Sequence, residues 1–160
     1  MKYKVMNREA ASRYSSQIDI PTIIISITDP NSLDNTFANN TNIIDVLRLK
    51  FFDVDFDEPG HIEKEDAEKI IEFINKYINK IDQIIVHCEG GVSRSSGVCA
   101  AIMKIIDGND WAIFNNSKYV PNRACYHTIL TSYFGGYDEK EVDEKIAHNI
   151  KLWRKANELD

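Results

Sequence analysis

The sequence predicts an α/β fold: a mostly parallel sheet of about four or five strands flanked by helices, in one domain. Three features point to it. Thr22-Ile23-Ile24-Ile25-Ser26-Ile27 and Ile84-Ile85-Val86 are β-branched runs of the kind found in strands covered on both faces. Between them, Ala67, Ile70, Ile71, Ile74, Ile78 and Ile81 recur at three- and four-residue steps within Glu63 to Ile81, with Glu, Lys and Asn opposite, so this segment is a helix with one buried face. After the second run, Gly90 and Gly91 open a tight turn into helix-compatible residues from Arg94 onward, and open sheets hold ligands at such strand ends.

In chain order, Lys2 to Met6 is a candidate first strand, and Asn7 a candidate cap for a helix through Glu9 to Tyr14. Pro21 introduces the first β-branched run, which ends at Thr28-Asp29-Pro30 and reads as a central strand. Asn31 to Asn42 holds five asparagines and few apolar residues, so it reads as an exposed loop. In Ile43 to Phe52, Leu47, Leu49 and Phe51 alternate with Val46, Arg48 and Lys50, which predicts a strand with one better-buried face. Val54 to Gly60 has no helical period and contains Pro59-Gly60, which predicts a loop.

The early acids Glu63, Glu65 and Asp66 suit the positive start of the long helix. Asp82-Gln83 then returns the chain to the second β-branched run, completing a strand-helix-strand unit expected to cross right-handedly onto a parallel neighbour. The helix from Arg94 carries Val98, Ala101, Ile102 and Ile105 on one face and Ala100, Met103 and Ile106 on another, so it is expected to be buried nearly all round. Ser95, Ser96 and Gly97 keep its start slim enough to approach the sheet and an anion, and Cys99 reads as core. Asp107-Gly108 ends it, and Asn109 or Asp110 can cap Trp111 to Phe114. Pro121-Asn122 opens a helix from Arg123 to about Phe134, closed by Gly135-Gly136, with His127 packing or capping. Asp138-Glu139-Lys140-Glu141 reads as a capping box for a last helix whose stripe, Val142, Ile146, Ile150 and Trp153, is read as core.

Chemistry gathers after the second run, in His87-Cys88-Glu89-Gly90-Gly91-Val92-Ser93-Arg94-Ser95. The two glycines let successive N–H groups turn inward onto an anion, and the helix that follows adds its positive end to the same point. That field favours the thiolate of Cys88, the form that acts as a nucleophile. Arg94 contributes a planar fork able to hold two phosphate oxygens at once. A nucleotide-binding P-loop would need Gly-Lys-Ser/Thr, and the segment has no lysine. A rhodanese-like sulfur transferase is a minor alternative with a catalytic cysteine on a similar loop. A buried structural cysteine at a strand end is the competing plain reading.

This Cys-x5-Arg loop, preceded by His and followed by Ser, resembles the signature of the cysteine-dependent protein tyrosine and dual-specificity phosphatases. The order of elements over most of the chain also resembles the small dual-specificity members. The resemblance implies that Cys88 attacks phosphorus, Arg94 and the loop Glu89, Gly90, Gly91, Val92, Ser93 bind the phosphoryl oxygens, His87 orders the loop through hydrogen bonds, and Ser95 helps the cysteine leave. It further implies an aspartate, on the loop after the preceding strand, that protonates the leaving oxygen and then acts as base toward water; such a group contributes roughly 10²–10⁴-fold. Asp53, at the strand end, is first choice; Asp55 and Asp57 are rivals, and spacing to the next helix would favour Asp57. A solvated acidic turn accounts for any two of the three. A calcium loop fails, because Glu58 stands where Gly is required and Lys64 where a bidentate Glu is required. Asn122 or Arg123 is a candidate substrate contact, set against a helix cap and a surface salt bridge.

The 160 residues are 43% hydrophobic, with a formal net charge of −6. The absence of a basic block argues against a nucleic-acid partner, RNA 5′ ends included. There is no signal-peptide pattern and no apolar stretch approaching the roughly 20 residues that span a bilayer. Three cysteines without a Cys-x-x-Cys pair fit reduced thiols in the cytoplasm. The expectation is a cytoplasmic, metal- and cofactor-independent phosphatase acting on a phosphoprotein or phosphopeptide. A loop without lysines disfavours inositides, no phosphotyrosine-clamping tyrosine motif is present, and a phosphopeptide-binding pseudophosphatase is the alternative of a different class.

Overall fold

A computed structural model describes residues 1–159 of the chain. Its four strands, β1 (Lys2–Asn7), β2 (Thr22–Thr28), β3 (Ile43–Lys50) and β4 (Gln83–Cys88), form one parallel sheet in the order β1-β4-β2-β3. The helices are α1 (Arg8–Tyr14), α2 (Lys64–Tyr77), α3 (Arg94–Asp107), α4 (Trp111–Phe114), α5 (Arg123–Phe134) and α6 (Glu139–Ala156). The two β-branched runs are the central strands: every residue of β2 and β4 is buried. Ile23, Ile25, Ile27, Ile84 and Val86 face the main core with α2, α3 and α5, whereas Ile24 and Ile85 face a small cluster with Ile18 on the α1 side. Period-two alternation therefore serves two apolar faces at once.

β4 does not lie beside β3, as the strand-helix-strand unit suggested. The connection through α2 passes over β2, and β4 inserts between β1 and β2. All strands being parallel, their C-terminal ends gather on one edge, which brings Arg8, Asp29, Phe51 to Asp53 and Glu89 together.

Several boundaries differ from the sequence reading. β3 stops at Lys50 and is an edge strand. α2 ends at Tyr77, where the Lys80 amide closes a turn onto the Tyr77 carbonyl at 2.8 Å; Ile81 is buried from that turn, and Phe73 and Tyr77 complete the helix's buried face. The Asn31–Asn42 segment is irregular but not merely exposed. Asn35 is buried, and the Asn40 amide donates to the carbonyls of Ser15 and Ile18 at 2.9 Å each, so these asparagines act as backbone partners. Gly97 serves α5 rather than the sheet: a Cβ there would lie 2.6 Å from the Asn122 carbonyl oxygen.

α6 departs furthest. Its stripe is buried at Val142, but Ile150 is exposed, and the inward face instead carries Lys145 and Asn149. Lys145 Nζ donates to Asp110 Oδ1 and forms an ion pair with Glu141 Oε1, both at 2.9 Å, and Tyr126 donates to the other oxygen of Asp110. Asp138 caps the Glu141 amide at 3.2 Å, while the Glu141 carboxylate turns to Lys145, so the capping box is half made. Asp110 therefore does not cap α4; the Asn109 side chain accepts from the Trp111 amide at 3.0 Å instead. Removing one member of a buried pair strands the other. Lys145→Ala is expected to cost about 3–5 kcal/mol in denaturant unfolding, and Lys145→Met with Asp110→Leu to recover most of it.

Candidate active site

The loop 88–94 is shaped by where its carbonyls go. Glu89 O accepts from the Arg8 amide at 3.3 Å, Val92 O from the Val120 amide at 3.1 Å, and Ser93 O from the Asn122 amide at 3.0 Å. Ser96 Oγ adds bonds to Val92 O at 2.6 Å and Ser93 O at 3.0 Å. With the carbonyls tied outward, the amides turn the other way. Gly91 N–H donates to Cys88 Sγ at 3.3 Å, and the amides of Gly90, Val92, Ser93 and Arg94 donate to no acceptor among the described residues. Gly91 has φ +66°, and a Cβ would lie 2.5 Å from the Asn7 nitrogen, so both the turn and the contact with the end of β1 require glycine there.

Cys88 closes β4 and is buried, with Ser95 Oγ at 3.1 Å from its sulfur. The other two thiols have no such surroundings: burial pushes Cys99 up to about 12 and Cys125 well above its ordinary value. Cys99 is core, as its spacing predicted. Arg94 opens α3, and its buried guanidinium spans two strand ends, with Nη1 donating to Asp29 Oδ1 at 2.7 Å and to the Phe51 carbonyl at 2.8 Å. Its Nε–H is buried and meets no protein acceptor. The fork is thus held from one side, leaving a donor free on a loop already rich in free amides.

His87 lies beneath the loop. Burial above all pushes its imidazole below the usual range, so the ring is neutral near neutral pH. One tautomer fits every neighbour: Nδ1–H donates to the Cys88 carbonyl at 3.2 Å, and Nε2 accepts from Ser26 Oγ at 2.6 Å and, more distantly, from Asn35 Nδ2 at 3.4 Å. Asn35 also donates to the Arg8 carbonyl at 2.9 Å, which joins His87 to the start of α1.

Of the three aspartates, Asp53 is the one at the loop. Ser93 Oγ donates to its Oδ1 at 2.8 Å and Asn122 Nδ2 to the same oxygen at 3.0 Å; Oδ2 has no partner among the described residues. Asp55 turns back on its own backbone, accepting from the Phe56 amide at 2.8 Å, and Asp57 is exposed. The 53–60 segment is closed by the Phe52 amide on the Gly60 carbonyl at 2.8 Å, and it docks on α5 through Asn122 Nδ2 to Val54 O at 3.2 Å and Phe56 against the His127 ring. His127 packs between Phe56 and Tyr137. Asn122 caps α5, with Oδ1 accepting from the Cys125 amide at 2.9 Å, and holds Asp53 with its other end. Arg123 forms a surface ion pair with Asp143 at 2.7 Å.

Asp29, Ser26 and Asn35 were missed by sequence reasoning. Asp29 had a usable signal, being the first residue beyond a fully buried strand; Ser26 and Asn35 had none. Among the described residues, no three His, Cys, Asp or Glu side chains are grouped to hold a metal ion, and no helix is long and apolar enough to cross a membrane.

Sequence comparison finds no matching family model and no matching curated protein. The architecture does recur among solved structures. A mouse candidate dual specificity phosphatase in complex with zinc tungstate is similar with TM-score 0.58 at 17% identity, over 81% of this chain and 80% of that one. Human DUSP28 gives TM-score 0.58 at 14% identity over 89% and 94% of the two chains. Human tyrosine phosphatase-like serine/threonine/tyrosine-interacting protein gives 0.52 at 20% over 71% and 76%.

Proposed function

We propose that this chain, which has the fold of the small dual-specificity phosphatases, hydrolyses phosphomonoesters of a phosphoprotein through a cysteinyl-phosphate intermediate. The observation that carries the reading is the single turn from β4 into α3, where the Gly91 N–H donates to Cys88 Sγ at 3.3 Å and four loop amides and the buried Arg94 Nε–H have no acceptor among the described residues. Such a cradle suits a tetrahedral dianion.

Cys88 Sγ attacks phosphorus in line, and the S–P bond forms as the bond to the ester oxygen breaks. The amides and Arg94 hold the three equatorial oxygens while charge redistributes over them. Asp53, as the acid, passes its proton from Oδ2 to the leaving oxygen; Ser93 and Asn122 hold Oδ1, which fixes the direction of transfer. Water then adds to phosphorus as the S–P bond breaks. The Asp53 carboxylate takes the water's proton, and Ser95 donates to the departing thiolate from its position 3.1 Å away. His87 stays neutral throughout, holding the Cys88 carbonyl and hence the loop.

The test is hydrolysis of aryl phosphates of graded leaving-group acidity, with wild type and Asp53→Asn run side by side in chelator-treated buffer. Asp53→Asn is expected to lose about 10²-fold on a poor leaving group and much less on a good one, which needs no proton. An equal loss on both would remove Asp53 as the acid, and Asp55→Asn and Asp57→Asn would then be compared.

A further inference from the structure

The cations on the strand ends around the loop are already engaged. Arg8 pairs with Glu89 at 3.1 Å, Lys50 with Asp34 at 3.2 Å, and Arg94 with Asp29 at 2.7 Å. Asp55, Asp57 and Glu58, by contrast, are exposed and make no ion pair among the described residues, on the segment whose first member, Asp53, touches Ser93. Lys118, two residues before the Val120 amide that holds Val92, is an exposed cation with no ion pair among the described residues. The acidic segment is held rather than loose, since it is closed at Phe52 and Gly60 and seated on α5 through Val54 and Phe56. Exposed apolar side chains lie among these charges: Val92 in the loop itself, Phe56 between Asp55 and Asp57, and Leu33, whose carbonyl accepts from Arg8 at 2.7 Å.

The site therefore has a donor-rich floor, with the buried Arg94 Nε–H unpartnered, and beside it, joined through Asp53, an exposed segment that carries three unpaired carboxylates and Phe56. A phosphoryl group gains from the floor. Any further anion on the same substrate meets the field of that segment, and a cation beside the phosphoryl group gains from it. We infer that the substrate is a phosphorylated peptide segment with lysine or arginine next to the phosphorylated residue and an apolar residue nearby, and that polyanionic phosphates and acidic phosphopeptides are rejected. The inference rests on the loop accepting a phosphoryl group; it adds that the acidic segment selects what surrounds that group.

The experiment compares two phosphotyrosine peptides of equal length, one flanked by lysine and arginine and one by aspartate and glutamate. Binding is read by fluorescence anisotropy on the Cys88→Ser protein, and kcat/KM on the wild type. The basic peptide is expected to bind at least about 10-fold tighter at low salt. The ratio should shrink toward about 2-fold near 0.5 M salt, where the Debye length is only about 4 Å. The Asp55→Asn/Asp57→Asn/Glu58→Gln variant, made in the Cys88→Ser protein and read by binding alone, should lower the ratio while keeping the fold, because an asparagine side-chain oxygen in place of the Asp55 carboxylate still accepts from the Phe56 amide and keeps the turn. Equal or tighter binding of the acidic peptide, or a ratio indifferent to salt and to the triple variant, overturns the inference. A wild type inert toward aryl phosphate whose Cys88→Ser form still prefers the basic peptide overturns the catalytic reading alone.

Discussion

Cys88→Ser is expected to lose at least about 10³-fold in phosphomonoester turnover while keeping its fold and its affinity for phosphate. The two halves of that expectation have different causes. Turnover is lost because a serine hydroxyl ionises far less readily than a thiol and is a poorer nucleophile, and no base is placed to activate it: His87 is turned to the Cys88 carbonyl and Ser26, not to the sulfur. Binding is expected to survive because the proposed partners of the anion, the loop amides and Arg94, do not depend on the sulfur. A serine oxygen can also accept from Gly91 and pair with Ser95 as the sulfur does. Steady-state turnover, phosphate binding by calorimetry and a thermal melt on the same preparation check all three. A serine variant of full activity would remove Cys88 as the nucleophile.

Arg94→Lys is expected to lower kcat by about 10²–10³-fold with a smaller change in KM. The guanidinium does two things at once: Nη1 ties Asp29 and the Phe51 carbonyl, and Nε, on the other side of the fork, remains a free donor. An ammonium can replace the tie or the free donor but not both in fixed geometry, so the oxygens are no longer gripped as charge shifts. The loss falls on kcat because the grip matters most when the equatorial oxygens change charge. Asp29→Asn, which keeps an oxygen acceptor for Nη1 but removes the charge, should show a milder form of the same pattern. An Arg94→Lys variant that raises KM and spares kcat would reduce Arg94 to ground-state binding.

The parts of this molecule that could be read in advance are those where one residue type has one use. β2 and β4 announced themselves because a run of Ile and Val has nowhere to go but a doubly covered strand. The turn that joins Cys88 at the end of β4 to Arg94 at the start of α3 was legible because a buried strand, two glycines and helix-compatible residues follow one another directly. Asp53 could be ranked but not chosen, since Asp55 and Asp57 share its composition and its loop; what separates them is contact with Ser93 and Asn122, which lie 40 and 69 positions away. The Asn-rich segment is the loop its composition predicted, but the inward turn of Asn35 was hidden for a related reason. Asparagine marks a turn in sequence, and only the fold decides that Asn35 points inward to His87. In α6 the apolar stripe was real but incomplete as a guide, because Lys145 is buried by partners from α4's approach and its own helix that no periodicity can reveal.

In the proposed reaction, phosphorus passes through Cys88 on its way to water. The most direct measurement of that step is mass spectrometry of wild-type protein quenched in acid during turnover of an aryl phosphate, with Cys88→Ser quenched in parallel. One phosphoryl group is expected on the peptide containing Cys88 in the wild type and none in the variant. A phosphoryl group on a serine, threonine or histidine peptide instead, or rapid wild-type turnover with no covalent phosphorus at any quench time, would contradict it.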